Sequence, residues 1–81
     1  MLEIRDLEAF GRWIATSQKG SRIIYHKCFD PYGRDQLINV REKNRHVNDL
    51  ANLAWDSYSG GQVHLFQQRV DGRRVYLAEK R

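Results

Sequence analysis

The stretch Gly60–Arg81, GGQVHLFQQRVDGRRVYLAEKR, decides how the chain is read. Two strand-like runs rich in Val, Leu, Phe and Tyr flank Asp71-Gly72, and Asp-Gly between two such runs is among the strongest short-range hairpin signals. The expected strands run from about Gln62 to Val70 and from Arg73 to about Glu79. A two-residue turn pairs Val70 with Arg73, Arg69 with Arg74, Gln68 with Val75 and Phe66 with Leu77. Val70, Val75, Phe66 and Leu77 then form the set expected to face the core. Arg69 opposite Arg74, Gln67 opposite Tyr76 and Leu65 opposite Ala78 fall on the other side. His64 faces Glu79, which a cross-strand ion pair would explain.

The tip of this hairpin holds Arg69, Arg73 and Arg74. Two guanidinium groups opposed across a strand pair repel each other, at a cost of a few tenths of a kcal/mol to about 1. A phosphate between them would reverse that sign, because arginine bonds phosphate oxygens as a bidentate fork. Plain exposure is the competing explanation, since a charged edge also resists sheet-to-sheet aggregation.

Upstream of the hairpin, the segment from Val47 to Ser59 has helical spacing. At about 100° per residue, Leu50, Ala54, Val47, Tyr58, Ala51 and Trp55 fall in one broad stripe, with Asn48, Asn52, Asp49 and Asp56 opposite. Asn48 suits an N-cap. Residues 34–43 hold too few apolar positions to set a period, and a short helix fits them best. Asp30 to Gly33 reads as a turn around Pro31, and RIIYHK (Arg22 to Lys27) reads as a strand. The first helix runs from about Asp6 to Lys19, with Leu7, Phe10 and Ile14 on one face, Asp6 as cap and Gly20 as stop. Gly11 lies on that apolar face, where the usual reason for glycine is close approach of another element. Trp13 flanks the stripe.

The chain has 81 residues, enough for one small domain spanning 1–81. A net charge of +4 is consistent with an acidic partner. Most of the 14 basic residues lie in two segments, 34–46 and 69–81. A single cysteine, Cys28, excludes an internal disulfide. MLEIRDLEAF lacks a signal-peptide apolar region, and no run reaches the ~20 apolar residues of a membrane span. A cytoplasmic protein without a membrane partner is expected.

Helix, strand, weak helix, firm helix, strand, strand is an order that resembles the winged helix-turn-helix family. That resemblance implies a small α+β, winged-helix-like domain (α-β-α-α-β-β) with a C-terminal β-hairpin wing. It also implies a nucleic-acid partner, duplex DNA in the first instance. In that family the third helix enters the major groove and the wing touches backbone or minor groove. On this chain Arg69, Arg73, Arg74, Arg41, Lys43 and Arg45 would then contact phosphate, and Asn48 and Asn52 would reach bases. One departure from the family pattern is that Asp49 and Asp56 lie on the exposed side of the third helix, where acids oppose a duplex. RIIYHK, LAWDSYSGGQVHLFQQR and VYLAEKR are also similar to segments of short uncharacterised proteins of tailed bacteriophages and prophages. That likeness implies an alternative: an accessory or regulatory protein that binds and modulates a host protein, through Trp13, Trp55, Asp49 and Asp56. A homodimer that combines two basic surfaces is a third arrangement.

Other chemistry finds little footing. His26 and Cys28 lack further ligands at metal-site spacing, and no glycine-rich phosphate loop opens a helix. A Cys28/His26 nucleophile pair lacks an orienting partner. Neither a cofactor nor an enzyme activity is expected.

Overall fold

The computed structural model describes residues 2–30 and 32–81. Pro31, inside the turn expected at Asp30–Gly33, lies outside the described residues. The architecture is α+β. In chain order the elements are β1 (Leu2–Glu3), α1 (Leu7–Thr16), β2 (Arg22–Lys27), α2 (Leu37–Val40), α3 (Arg45–Ser59), β3 (Val63–Val70) and β4 (Arg73–Lys80). The four strands form one mixed sheet in the order β1-β2-β4-β3, with β1 parallel to β2 and the other pairs antiparallel. The two-residue β1 is too short for any periodicity to reveal.

The β3–β4 hairpin pairs residue for residue as its turn dictates, from Val70↔Arg73 and Arg69↔Arg74 to His64↔Glu79. Asp71 and Gly72 both adopt positive φ, 52° and 75°. A turn with both central residues in that region matches the right-handed twist of the strands. The expected core face is reversed, however. Val63, Tyr76 and Ala78 join the cluster formed by Phe10, Ile14, Ile23, Tyr25, Leu50 and Ala54, with Leu65 packed against it. Phe66 and Val70 instead remain 37% and 41% exposed on the other face. Val75 and Leu77 on that face are buried all the same, because β4 is an inner strand flanked by β2 and β3. With apolar residues on both faces of β4, strand alternation alone does not say which side the helices cover.

Asp6 caps α1, its carboxylate accepting from the Ala9 N–H at 3.2 Å. The buried side of α1 is Phe10 and Ile14, while Leu7 is half-open at 38%. The Lys80 ammonium donates to the Ile14 carbonyl and so ties the end of β4 to the last turn of α1. Gly11 does not serve a close approach: a Cβ built there has nothing within 4 Å.

Asn44 caps α3, its Oδ1 accepting from the Val47 N–H at 3.2 Å, and Asn48 sits in the second turn instead. The buried arc of α3 is Leu50, Ala51, Ala54 and Ser57. These are mostly small residues, which let α3 lie close to the rest of the core. The arc therefore turns away from Trp55 and Tyr58, which the apolar stripe had been expected to include. Trp55 is 61% exposed and Tyr58 45%.

α2 is a single turn, and its first N–H, from Leu37, donates to the Tyr76 hydroxyl at 3.3 Å. The loop between β2 and α2 is held by Asp35. Its carboxylate accepts from the backbone N–H groups of Phe29 and Asp30, and its carbonyl meets the His26 ring at 2.9 Å and the Cys28 thiol at 3.5 Å.

Candidate nucleic-acid interface

Arg69 and Arg74 stand opposite each other near the hairpin tip, on the face of the sheet that further down is covered by helices. There they meet the β2–α2 loop, in a recess of about 90 Å³ shared with Gln36, Gly33 and Asp30. Asp35 shapes this wall through its hold on Phe29 and Asp30. Burial works against the charged form of its carboxyl, but the N–H donors of Phe29, Asp30 and Asp35 itself prevail and hold its pKa below the ordinary value. Arg73, one residue from Arg74, projects to the opposite face beside Val70, so the three tip arginines do not form one patch.

Arg41, at the C-terminal end of α2, reaches across to α3. Its Nε donates to Asn48 Oδ1 at 2.8 Å and its Nη2 to Asn52 Oδ1 at 2.6 Å. Arginine has donors only, so both asparagines must turn their oxygens toward it. Their amide NH2 groups are the donors that remain. This clamp unites three residues expected in two separate roles, phosphate contact for Arg41 and base contact for Asn48 and Asn52. Its signal in the sequence is slight: the asparagines are four apart on a helix, and nothing marks Arg41 as their partner.

A second recess, of about 340 Å³, lies between Arg41 and Arg74, with Gln67, Leu37 and Tyr76 as its floor. A third, of about 450 Å³, continues from Leu37, Gln67 and Tyr76 to Trp55. Gln36 and Arg74 belong to both the first and the second recess, and Leu37, Gln67 and Tyr76 to both the second and the third. The three thus make one trench between the hairpin on one side and the β2–α2 loop and α2 on the other, and it meets α3 at Trp55. Arg69, Arg74 and Arg41 line one part of it, and the Trp55 indole stands at the other end, 5.4 Å from the Tyr58 ring. Among the described residues, none of the three arginines has a carboxylate within ion-pair distance, whereas Arg22, Arg34 and Arg5 are paired with Glu79, Asp30 and Glu3.

Tyr25 lies beneath the trench. Its phenol is pushed up to about 12 by burial first and by neighbouring Tyr76 second, with Arg41 pulling the other way. Lys43 and Arg45 are exposed at the α2–α3 junction and do not line the trench. Asp56 is exposed on the outer side of α3 and Asp49 half-buried. Trp13 is half-buried and packs tilted against Phe10, with ring centres 6.2 Å apart.

The expected His64–Glu79 ion pair gives way to another. Glu79 accepts from Arg22 at 2.9 Å, and the His64 ring lies against Phe66. Cys28 is buried, and burial followed by the charge of Asp35 pushes its thiol pKa up, the reverse of what a nucleophile needs. Among the described residues no three of His, Cys, Asp and Glu gather as metal ligands, and no helix is long and apolar enough to cross a membrane. Compared with known proteins, the chain matches no family, no curated protein and no solved structure.

Proposed function

We propose that the protein is a small, non-enzymatic nucleic-acid-binding module of winged-helix-like design, with the β3–β4 hairpin as its wing. The observation that carries this reading is the continuity of the trench from Arg69 and Arg74 to Arg41. Three guanidinium groups, with no carboxylate partner among the described residues, form a polyanion track along one concave surface. The amide groups of Gln36, Gln67, Asn48 and Asn52 add neutral donors beside it. Arg69 and Arg74 repel each other in the free protein, and a bound phosphate removes that cost. Arg41 is held in place by its two asparagines, so little side-chain freedom is lost when it meets a phosphate. The wing contributes phosphate contacts and no base readout, and Asn48 and Asn52 are the candidates for contact with bases.

The test is the double variant Arg69→Ala with Arg74→Ala. Affinity should fall uniformly across sequences, and two lost phosphate contacts should flatten the log–log salt slope by about 1.4 on a single strand or about 1.8 on a duplex. Unchanged affinity and slope would remove the wing from the interface.

A second reading is favoured by one observation, the exposure of Trp55 at 61% beside Tyr58 at 45%. Protein interfaces concentrate such aromatics. On that reading the molecule is an accessory protein whose α3 face docks on a host protein, with Asp49 and Asp56 at the rim. Binding of that kind would survive the double arginine variant and fail in Trp55→Ala.

A further inference from the structure

We infer that the trench selects single-stranded over duplex nucleic acid, with Trp55 as a base-stacking platform; this rests on the nucleic-acid reading above and names its ligand class. Cations and aromatic ring lie in sequence along one groove. Arg69, Arg74 and Arg41 follow one another toward Leu37 and Gln67, and the Trp55 indole stands at the far end. A backbone track leading to an aromatic face is the arrangement by which proteins hold unpaired strands, because every base has a π-face that stacks on an indole. A duplex hides its base faces and has nothing to offer Trp55.

The acidic residues of α3 point the same way. On a helix, Asn48, Asn52 and Trp55 share one flank, where Trp55 lines the trench and the two asparagines hold its Arg41, while Asp49 and Asp56 lie farther round on the outer side. A duplex laid against the exposed face of α3 would bring its phosphates to those two carboxylates. A single strand in the trench, between α2 and the hairpin, meets α3 only on the Trp55 flank. The NH2 groups of Asn48 and Asn52, beside Arg41, remain as donors for phosphate or base edges, since Arg41 already engages their oxygens. Exposure of Trp55 also has no structural role to explain it, because the α3 core is completed by Leu50, Ala51, Ala54 and Ser57.

The experiment compares a labelled oligothymidylate of about ten nucleotides with a duplex of equal length by fluorescence anisotropy at low salt. It uses the wild-type chain, Trp55→Ala and Trp55→Phe. The expected result is binding of the single strand at least about ten-fold tighter than the duplex. Trp55→Ala should weaken the single strand by about five- to one-hundred-fold and leave duplex affinity unchanged, with Trp55→Phe in between. Intrinsic tryptophan emission should be quenched on binding in the wild type and not in Trp55→Phe, whose remaining emitter is the half-buried Trp13. Circular dichroism melts report whether each variant is folded, and substitution of so exposed a residue should leave the melt in place. Equal or tighter binding of duplex, or a neutral Trp55→Ala, would overturn the single-strand inference and leave the nucleic-acid reading standing. Binding of neither probe would overturn both.

Discussion

Asp35→Asn isolates the contact that shapes the wall of the trench. In the native chain one ionised carboxylate accepts the N–H groups of both Phe29 and Asp30, which lie just past β2 and Cys28. Hydrogen bonds to a charged acceptor contribute about 1.5–3 kcal/mol each where water is excluded. This site is only partly buried, and Asn retains one accepting oxygen, so a net loss of about 1–2 kcal/mol is expected. For a domain of this size that is a fall in Tm of about 5–15 °C. The pH dependence has a definite sign. Asp35 titrates below its unfolded value, so its stabilisation is present above pH ~4 and is lost as pH falls through the depressed folded value. Thermal unfolding followed by circular dichroism at pH 7 and at stepwise lower pH should therefore show a gap between wild type and Asp35→Asn that closes below pH ~4. A gap that persists unchanged in acid, or no gap at pH 7, would refute the role given to the carboxylate. Because the same loop faces Arg69 and Arg74, the variant should also weaken nucleic-acid binding while leaving all three trench arginines in place.

Gly11→Ala should stabilise the protein by about 0.5–1 kcal/mol, since the new methyl meets nothing within 4 Å and alanine is the better helix former; a denaturant midpoint that falls instead would mean that another element does approach α1 there. Cys28 should resist alkylation at neutral pH in the folded state and react rapidly in denaturant, because its thiol is buried and its pKa raised. Mass spectrometry of iodoacetamide-treated protein reads both states, and fast labelling without denaturant would contradict the packing of the β2 end.

The hairpin and its register were legible in the sequence because Asp71-Gly72 leaves the backbone few alternatives, and each pairing follows from the turn by counting. The helices were legible through Phe10 and Ile14 in one and Leu50 and Ala54 in the other. Orientation was not. The inner strand β4 has apolar side chains on both faces, and the choice between Val75–Leu77 and Tyr76–Ala78 as the helix-facing set is made by packing against α1 and α3. On α3 the large aromatics Trp55 and Tyr58 looked like core, whereas the sheet accepts the small Ala51, Ala54 and Ser57 instead. The candidate site divides in the same way. Opposed Arg69 and Arg74 could be counted from the turn. The Arg41 clamp on Asn48 and Asn52, the Asp35 staple and the trench that joins them depend on contacts between separate elements, which no local pattern encodes.

The central claim is that the basic trench binds a polyanion, and the direct measurement is an anisotropy titration of the wild-type protein against labelled nucleic acid at several salt concentrations. With three phosphate contacts from Arg41, Arg69 and Arg74, the account predicts micromolar or tighter binding at low salt and a log–log slope of about −2 on a single strand. A flat titration at low salt, or binding with no salt dependence, would contradict it and return the arginines to the role of solvated edge charges.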